Sequence, residues 1–451
     1  MTKGKKSMWR GASTKPRLKR DTPASAPYID VLPREELRIV VNALNDALNA
    51  KRKSVWPATL RSGSLAEPPS KDEDRKVASD VDPQQVLVPL ARLGAAQGYS
   101  GSSVFVAYFK DQGGRYLPSR PLVVKIGAHD GLDAELSRAK SWPPHAHGED
   151  SSFASPWRLF PVKPTASKPT KSVLIAPFSS VDALDSEFNS YELDIDDLWR
   201  VLTAKGKSRD PTDVLRGVYE LMHGIHRHGR VECERRRLKY STAYDKYLRK
   251  LHTTKRAMVE SLFGTDETTR LLGKTWPNPL RVVDKLVPMA FEGAAGPIHG
   301  DLHPKNVVLD RSGRPRIIDF GWALPRGHVV VDYVLMEVNL RAVTLSAQIS
   351  HNDAIALAEM LEDGDPVPDG AKIVVARANL IRDILWTSAR VSGIFKDWMR
   401  EYLIPQFLVA FGLLKFLDSA RNQHALLATV LALGSRIAAS GIIMLKPKAP
   451  R

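Results

Sequence analysis

Asp301, Asn306 and Asp319 carry side-chain oxygens within one short stretch, in the order His299-Gly300-Asp301, Asn306, Asp319-Phe320-Gly321. Moving a phosphoryl group needs a carboxylate that takes the proton of the attacking hydroxyl, and oxygen ligands for the Mg²⁺ that neutralises the nucleotide's phosphates. Asp301 suits the first role, and Asn306 with Asp319 suits the second. The residues between them say how they would meet. Val307-Val308-Leu309 and Ile317-Ile318 are apolar runs separated by Arg311-Ser312-Gly313, so the stretch reads as a β-hairpin whose polar residues gather at one end.

HGDLHPKN followed by IIDFGWA resembles the catalytic and metal-binding loops of the aminoglycoside phosphotransferase and choline kinase group, relatives of the protein kinases. The two motifs in that order are a specific signal, whereas either alone is weak. The resemblance spans residues 86 to 335 and implies an α+β, bilobal protein-kinase-like fold, with a small β-rich N-lobe and a large helical C-lobe. It implies ATP and Mg²⁺ as cofactors and an alcohol group as acceptor. His299-Gly300-Asp301 in place of His-Arg-Asp, and the lack of an APE-like segment, argue against a protein kinase switched by activation-loop phosphorylation.

Upstream stand elements that would hold a nucleotide. Gly98, Gly101, Ser102 and Ser103 fall between two apolar runs, and a loop of glycines and small hydroxyl residues lets backbone N–H groups approach phosphate oxygens. The next strand, Leu122-Val123-Val124-Lys125-Ile126, places one cation in an apolar run, costly unless an anion meets it. An edge-strand lysine that keeps a sheet soluble is the bland account. In the kinase pattern this lysine contacts the α- and β-phosphates and pairs with a helix glutamate, for which Glu135 is the best candidate, with Asp133 behind it. Ser172 to Phe178 resembles the last small-lobe strand running into the hinge. There the Ala176 carbonyl and Phe178 N–H would meet the adenine edge, Pro177 having no N–H to give. An ordinary core strand ending at proline fits as well.

Composition bounds the rest. With 451 residues the chain can bury a large core, and 66 Lys and Arg against 50 Asp and Glu give a net charge of +16, which points to an anionic ligand or partner. Much of the excess lies in residues 1 to 20, which carry Lys3, Lys5, Lys6, Arg10, Lys15, Arg17, Lys19 and Arg20 and no acid. That tail reads as a solvated segment, or as a tether to nucleic acid or an anionic membrane. Cys233 is the single cysteine, which excludes an intrachain disulfide and fits a cytoplasmic protein. The N-terminus lacks the apolar core of a secretory signal. The apolar stretches near 403–417 and 425–445 are broken by Pro405, Gln406, Lys415 and Arg436, so buried helices are expected rather than membrane spans.

Three regions follow. Residues 1–83 are a basic extension with one amphipathic helix over 33–50, which must dock on the main body or on a protein partner. Residues 84–180 form the N-lobe and 181–451 the C-lobe. In the C-lobe, Val214 to Ile225 has the period of the long helix beneath the catalytic loop. His223, His226 and His228 gather at its end without a metal-ligand spacing, and the basic run from Arg227 to Lys239 reads as a solvated face or a steering patch. The resemblance also implies an aspartate that opens the helix after the metal loop and braces the catalytic loop, and Asp332 fits that place as an N-cap. Helices are expected at 354–360, 372–386, 394–416 and 425–439. The expected function is ATP-dependent transfer of the γ-phosphoryl group to a hydroxyl on a small molecule or protein. The alternative is a catalytically weak nucleotide-binding module that acts as a sensor or scaffold. The region 195–290 has no acidic cluster of the kind that would attract a polycationic antibiotic.

Overall fold

A computed structural model of the chain describes residues 86–92, 103–110, 122–142, 158–161, 171–177, 197–203, 209–228, 233–253, 255–309, 312–363 and 372–444. The expected helix at 33–50 and the basic tail lie outside these residues, as do Gly98, Gly101, Ser102 and Phe178.

The fold mixes helices with small sheets. Strands β1 (Val86–Arg92), β2 (Ser103–Lys110), β3 (Leu122–Ala128), β4 (Arg158–Pro161) and β5 (Lys171–Pro177) form a five-stranded antiparallel sheet in the order β1-β2-β3-β5-β4. Lys125 therefore lies on the central strand, opposite Val104 on one side and Leu174 on the other, and the edge-strand account of it does not hold. Strand β3 runs straight into helix α1 (His129–Lys140). Leu132, Glu135, Leu136 and Ala139 are its buried residues, a helical stripe in which a glutamate takes a position that apolar side chains otherwise fill. Leu132 and Leu136 pack with Leu174 of β5, which fixes the face that α1 turns toward the sheet.

The larger core is built on α2 (Leu198–Thr203), α3 (Pro211–His228), α4 (Asp245–Thr253), α5 (Arg256–Phe263), α6 (Pro279–Leu286), α7 (Val331–Val338), α8 (His351–Asp363), α9 (Lys372–Leu380), α10 (Ile404–Leu413) and α11 (Gln423–Ala439). All residues of α7 are buried, so it is a central rod against which the other elements pack. Pro405 does not end α10, because the preceding turn, Met399–Leu403, widens to a π-type turn that takes up the missing N–H and the ring. The helix expected from Ile394 starts later. Asp397 accepts the Arg400 N–H at 3.0 Å as a cap, and the buried Glu401 accepts the N–H groups of Lys396 and Asp397 at 2.9 and 3.0 Å, holding that segment out of the helix.

The basic run is partly a strand. β6 (Glu234–Lys239) is the edge of a three-stranded sheet, in the order β12-β9-β6, with β9 (Ala290–Ile298) in the middle and β12 (Leu324–His328) beyond. Arg235 is bound to Glu401 at 2.7 Å and Arg236 to Glu234, so only part of the run is a free basic face. Strand β9 ends at Ile298 and delivers the chain into His299. A further hairpin joins β7 (Thr268–Leu271) to β8 (Lys274–Pro277). Among the described residues no helix is long and apolar enough to cross a membrane.

Candidate active site

The hairpin forms from β10 (Val307–Leu309) and β11 (Pro315–Ile317), with Val307 opposite Ile317 and Leu309 opposite Pro315. The second strand begins two residues earlier than its apolar pair indicates. Ile318 still closes the end by donating its N–H to the Asn306 carbonyl at 3.0 Å. That bond ties the residue that follows the catalytic loop to the residue that precedes Asp319. Asp319 itself has φ of +65°, a left-handed conformation that side chains other than glycine rarely adopt. Its Oδ1 accepts the Gly321 N–H at 3.3 Å.

Lys125 reaches this turn from the other sheet. Its Nζ donates to Glu135 Oε2 at 2.7 Å and lies 3.4 Å from Asp319 Oδ1. The lysine side chain is 12% exposed and that of Asp319 is 41% exposed, so the lysine is buried beneath a carboxylate that is open to solvent. Burial works against the charged lysine, but Asp319 and Glu135 together hold its proton affinity above the ordinary value. Burial likewise works against the Asp319 carboxylate, yet Lys125 and the Gly321 N–H keep it below the usual range. Glu135 is pushed up by burial, with Lys125 opposing. One cation is thus shared by two carboxylates, a balance that favours a second cation near Asp319.

The loop bearing Asp301 is fixed from behind. Both oxygens of the fully buried Asp332 accept backbone N–H groups, His299 at 2.8 Å and Gly300 at 2.7 Å. Asp332 lies inside the first turn of α7 and caps no N–H of that helix, so its bracing role is met from a position other than the expected cap. His299 is also fully buried, and burial holds its proton affinity down to about 4. Its Nε2 meets the Ile318 carbonyl at 3.0 Å and its Nδ1 meets the Asp301 N–H at 3.3 Å. Those partners assign the neutral tautomer with the proton on Nε2. Trp142, just after α1, packs edge-on to His299 and Phe320 and donates its indole N–H to the Ile298 carbonyl at 3.1 Å. Gly300 has φ of +75°, and a Cβ there would lie 2.5 Å from the Trp322 carbonyl oxygen, so the turn needs glycine on both counts.

Asp301 is partly exposed. Its Oδ2 lies 3.7 Å from His303 Nε2, and Asn306 donates its amide N–H to the Asp301 carbonyl at 2.9 Å. That bond leaves the Asn306 Oδ1 as the group open to a cation. Of the remaining expected residues, Ser103 begins β2 opposite Ile126, and Ala176 is on β5 opposite Val123. His223 and His226 of α3 face different partners: His223 Nε2 meets the Ser388 carbonyl and His226 Nε2 that of Pro297. Among the described residues no group of three or more His, Cys, Asp and Glu could hold a metal.

Several participants carry no motif. Arg138 donates to the Gly321 carbonyl, a second link between α1 and the turn that holds Asp319; its one sequence signal is its spacing of three from Glu135, which sets both on one face. Tyr247 of α4 donates to the Gly300 carbonyl at 3.0 Å. Lys246 Nζ lies 4.5 Å from the ring centres of both Tyr247 and Trp322, close enough to Asp301 and Asp332 to feel their charge.

A family model described as Ternary complex associated domain 9 matches residues 199–415, a span that holds Asp301, Asn306, Asp319 and Asp332 and leaves out Lys125 and Glu135. No curated protein matches the chain. Among solved structures, it is similar to a thermostable mutant of the aminoglycoside phosphotransferase APH(4)-Ia in its apo form. The TM-score is 0.40 and the identity 13%, with 79% of this chain and 97% of that one covered. A thermostable mutant of the same enzyme with one further substitution, in a ternary complex with ADP and hygromycin B, gives 0.40 and 12%, covering 78% and 95%.

Proposed function

We propose that the chain is an ATP-dependent phosphotransferase of bilobal, kinase-like build that moves the γ-phosphoryl group to a hydroxyl. The observation that carries this reading is the meeting of Lys125, Glu135 and Asp319 at 2.7 and 3.4 Å, from positions 194 residues apart, beside a loop that presents Asp301 and Asn306. An isolated hairpin with acids at its mouth needs no buried lysine, and a structural ion pair needs no Asp319 with a left-handed backbone.

In the reaction the acceptor oxygen bonds to the γ-phosphorus and gives its proton to the Asp301 carboxylate. The bond to the β–γ bridging oxygen breaks, and its electron pair leaves on ADP. Lys125 holds the α- and β-phosphates, and Glu135 keeps its ammonium pointed into the cleft. The loop near Gly98 to Ser103 covers the phosphates, and Ala176 with Phe178 receives the adenine edge. Asn306 Oδ1 and the Asp319 carboxylate are hard oxygen donors of the number that suits Mg²⁺, which keeps waters and phosphate oxygens as its other ligands. When bound, that ion neutralises phosphate charge. Asp332 and neutral His299 hold the loop rigid, so positioning and preset charge supply the rate.

The test is transfer from labelled ATP in Mg²⁺ by the wild-type protein and by Asp301→Ala. Loss of transfer in the variant, with nucleotide binding kept, supports the reading. Equal turnover in the variant, or nucleotide binding by the wild type without any turnover, refutes it, and the latter result favours a sensor or scaffold.

A further inference from the structure

The surroundings of Asp301 are basic, and two of the charges, Lys246 and Lys415, come from elements that carry none of the residues assigned to the nucleotide. Helix α4 contributes Lys246, and the helical turn Leu414–Ser419 after α10 contributes Lys415. A Cβ on Gly300, next to Asp301, would lie 3.3 Å from Lys246 Nζ, and one on Gly412 would lie 2.6 Å from the Tyr247 Cβ, so α4 and the end of α10 pack closely there; the Asp301 charge acts on both ammonium groups, and Lys250 on the same face of α4 acts on Lys415. Arg138 adds a fourth positive charge to the field at Lys246.

Neither Lys246 nor Lys415 forms a salt bridge among the described residues. The Lys246 Nζ is buried and finds no hydrogen-bond partner there, only the faces of Tyr247 and Trp322. Trp322, which covers it, is 45% exposed. Asp301 and Asp332 act on Lys246 by charge alone: both Asp332 oxygens accept the N–H groups of His299 and Gly300, and neither carboxylate receives a hydrogen bond from the ammonium. Unpaired ammonium groups beside a base, in partly desolvated surroundings, are an arrangement that a bound anion would complete. A polycation would meet like charge there.

We propose that the acceptor served by Asp301 is a small anionic hydroxyl compound, whose phosphate or carboxylate is received by Lys415 and Lys246 beside Trp322. This rests on the phosphotransferase reading above and specifies its substrate class. Burial lowers the proton affinity of Lys246 to about 8, and burial with Lys250 lowers that of Lys415, so an incoming anion relieves both groups. The transfer step is unchanged: the hydroxyl oxygen takes the γ-phosphoryl group, its proton goes to Asp301, and ADP departs with the bonding pair.

The experiment uses the full chain with Mg·ATP and matched acceptor pairs: glycerol and glycerol 3-phosphate, ribose and ribose 5-phosphate, adenosine and AMP. The anionic member of at least one pair should be preferred in kcat/KM by about 10- to 100-fold, the range of a hydrogen bond between charged groups. In Lys415→Gln and Lys246→Gln that preference should fall by about tenfold, with the KM for ATP held within about twofold. Binding of glycerol 3-phosphate to the Mg·ADP-loaded protein, read by tryptophan fluorescence, should weaken in the same variants. Transfer that depends on Asp301 but shows no anion preference, or a preference that both variants keep, overturns the inference and leaves the phosphotransferase standing. A rise in the KM for ATP that matches the change for the acceptor also overturns it, by assigning the lysines to the nucleotide. Absence of any Asp301-dependent transfer or hydrolysis removes the phosphotransferase reading, and the inference falls with it.

Discussion

Replacing Asp332 by asparagine preserves the shape of the side chain and removes one of the two acceptors that hold the catalytic loop. In the native protein Oδ1 and Oδ2 take the Gly300 and His299 N–H groups at 2.7 and 2.8 Å, in a site with no exposure. An amide offers one oxygen, and its NH₂ faces an N–H that it cannot accept. A hydrogen bond to a charged acceptor contributes about 1.5–3 kcal/mol, and a buried donor left without a partner costs about 1–3 kcal/mol. Against this stands the relief of burying a carboxylate, which is unfavourable enough here to raise its proton affinity to about 6. The variant also leaves the Lys246 ammonium with one fewer counter-charge. The balance is a loss of about 2–4 kcal/mol in Asp332→Asn, since the relief offsets part of the hydrogen-bond loss. Urea unfolding followed by tryptophan fluorescence measures it, and phosphoryl transfer measures the functional share. Because the loop that loosens carries Asp301, turnover should fall more steeply than ATP affinity. If Asp332→Asn unfolds within about 0.5 kcal/mol of wild type and transfers at the native rate, the bracing argument is wrong.

Gly300→Ala should destabilise by about 1–2 kcal/mol from the left-handed backbone alone, and more from the encounter with the Trp322 carbonyl. Gly131→Ala, on an open face of α1, should instead be neutral or stabilising by up to about 1 kcal/mol; thermal unfolding of the pair separates the two effects, and equal behaviour would refute the geometry. His226, His299 and His328 are held at about 4, 4 and 3 by burial, below the ordinary 6.5. The unfolded chain therefore binds protons that the folded one refuses, so stability falls as pH drops from 6.5 toward 4, by up to about 1.4 kcal/mol per pH unit for each histidine. Urea midpoints across that window would show it, and a flat profile would mean that these rings are solvated.

The hairpin that carries Asp301, Asn306 and Asp319 was legible in the sequence because its geometry is local. Asp301, Asn306 and Asp319 need fixed residue types around one tight hairpin, and turn formers between short apolar runs announce such a hairpin. Lys125 was legible for a related reason, since a lone cation in an apolar strand demands an anion. The long helices followed from their period, α3 and α11 most plainly. Other features depend on contacts across long sequence separations. Strand β9 is rich in glycine and alanine, residues with little strand preference, and it exists because β6 and β12 flank it. Pro405 would end a helix in isolation, and only packing against the core justifies the widened turn that keeps it. Asp332 can be noticed as an acid near a helix start, but which N–H groups it holds depends on how α7 lies behind the loop. Lys246 and Lys415 are two ordinary lysines in the sequence, and the tertiary structure alone brings both beside Asp301. Local backbone geometry and side-chain chemistry are set by neighbours in the chain. The electrostatic surroundings of Asp301 are set by whichever distant residues the core brings near.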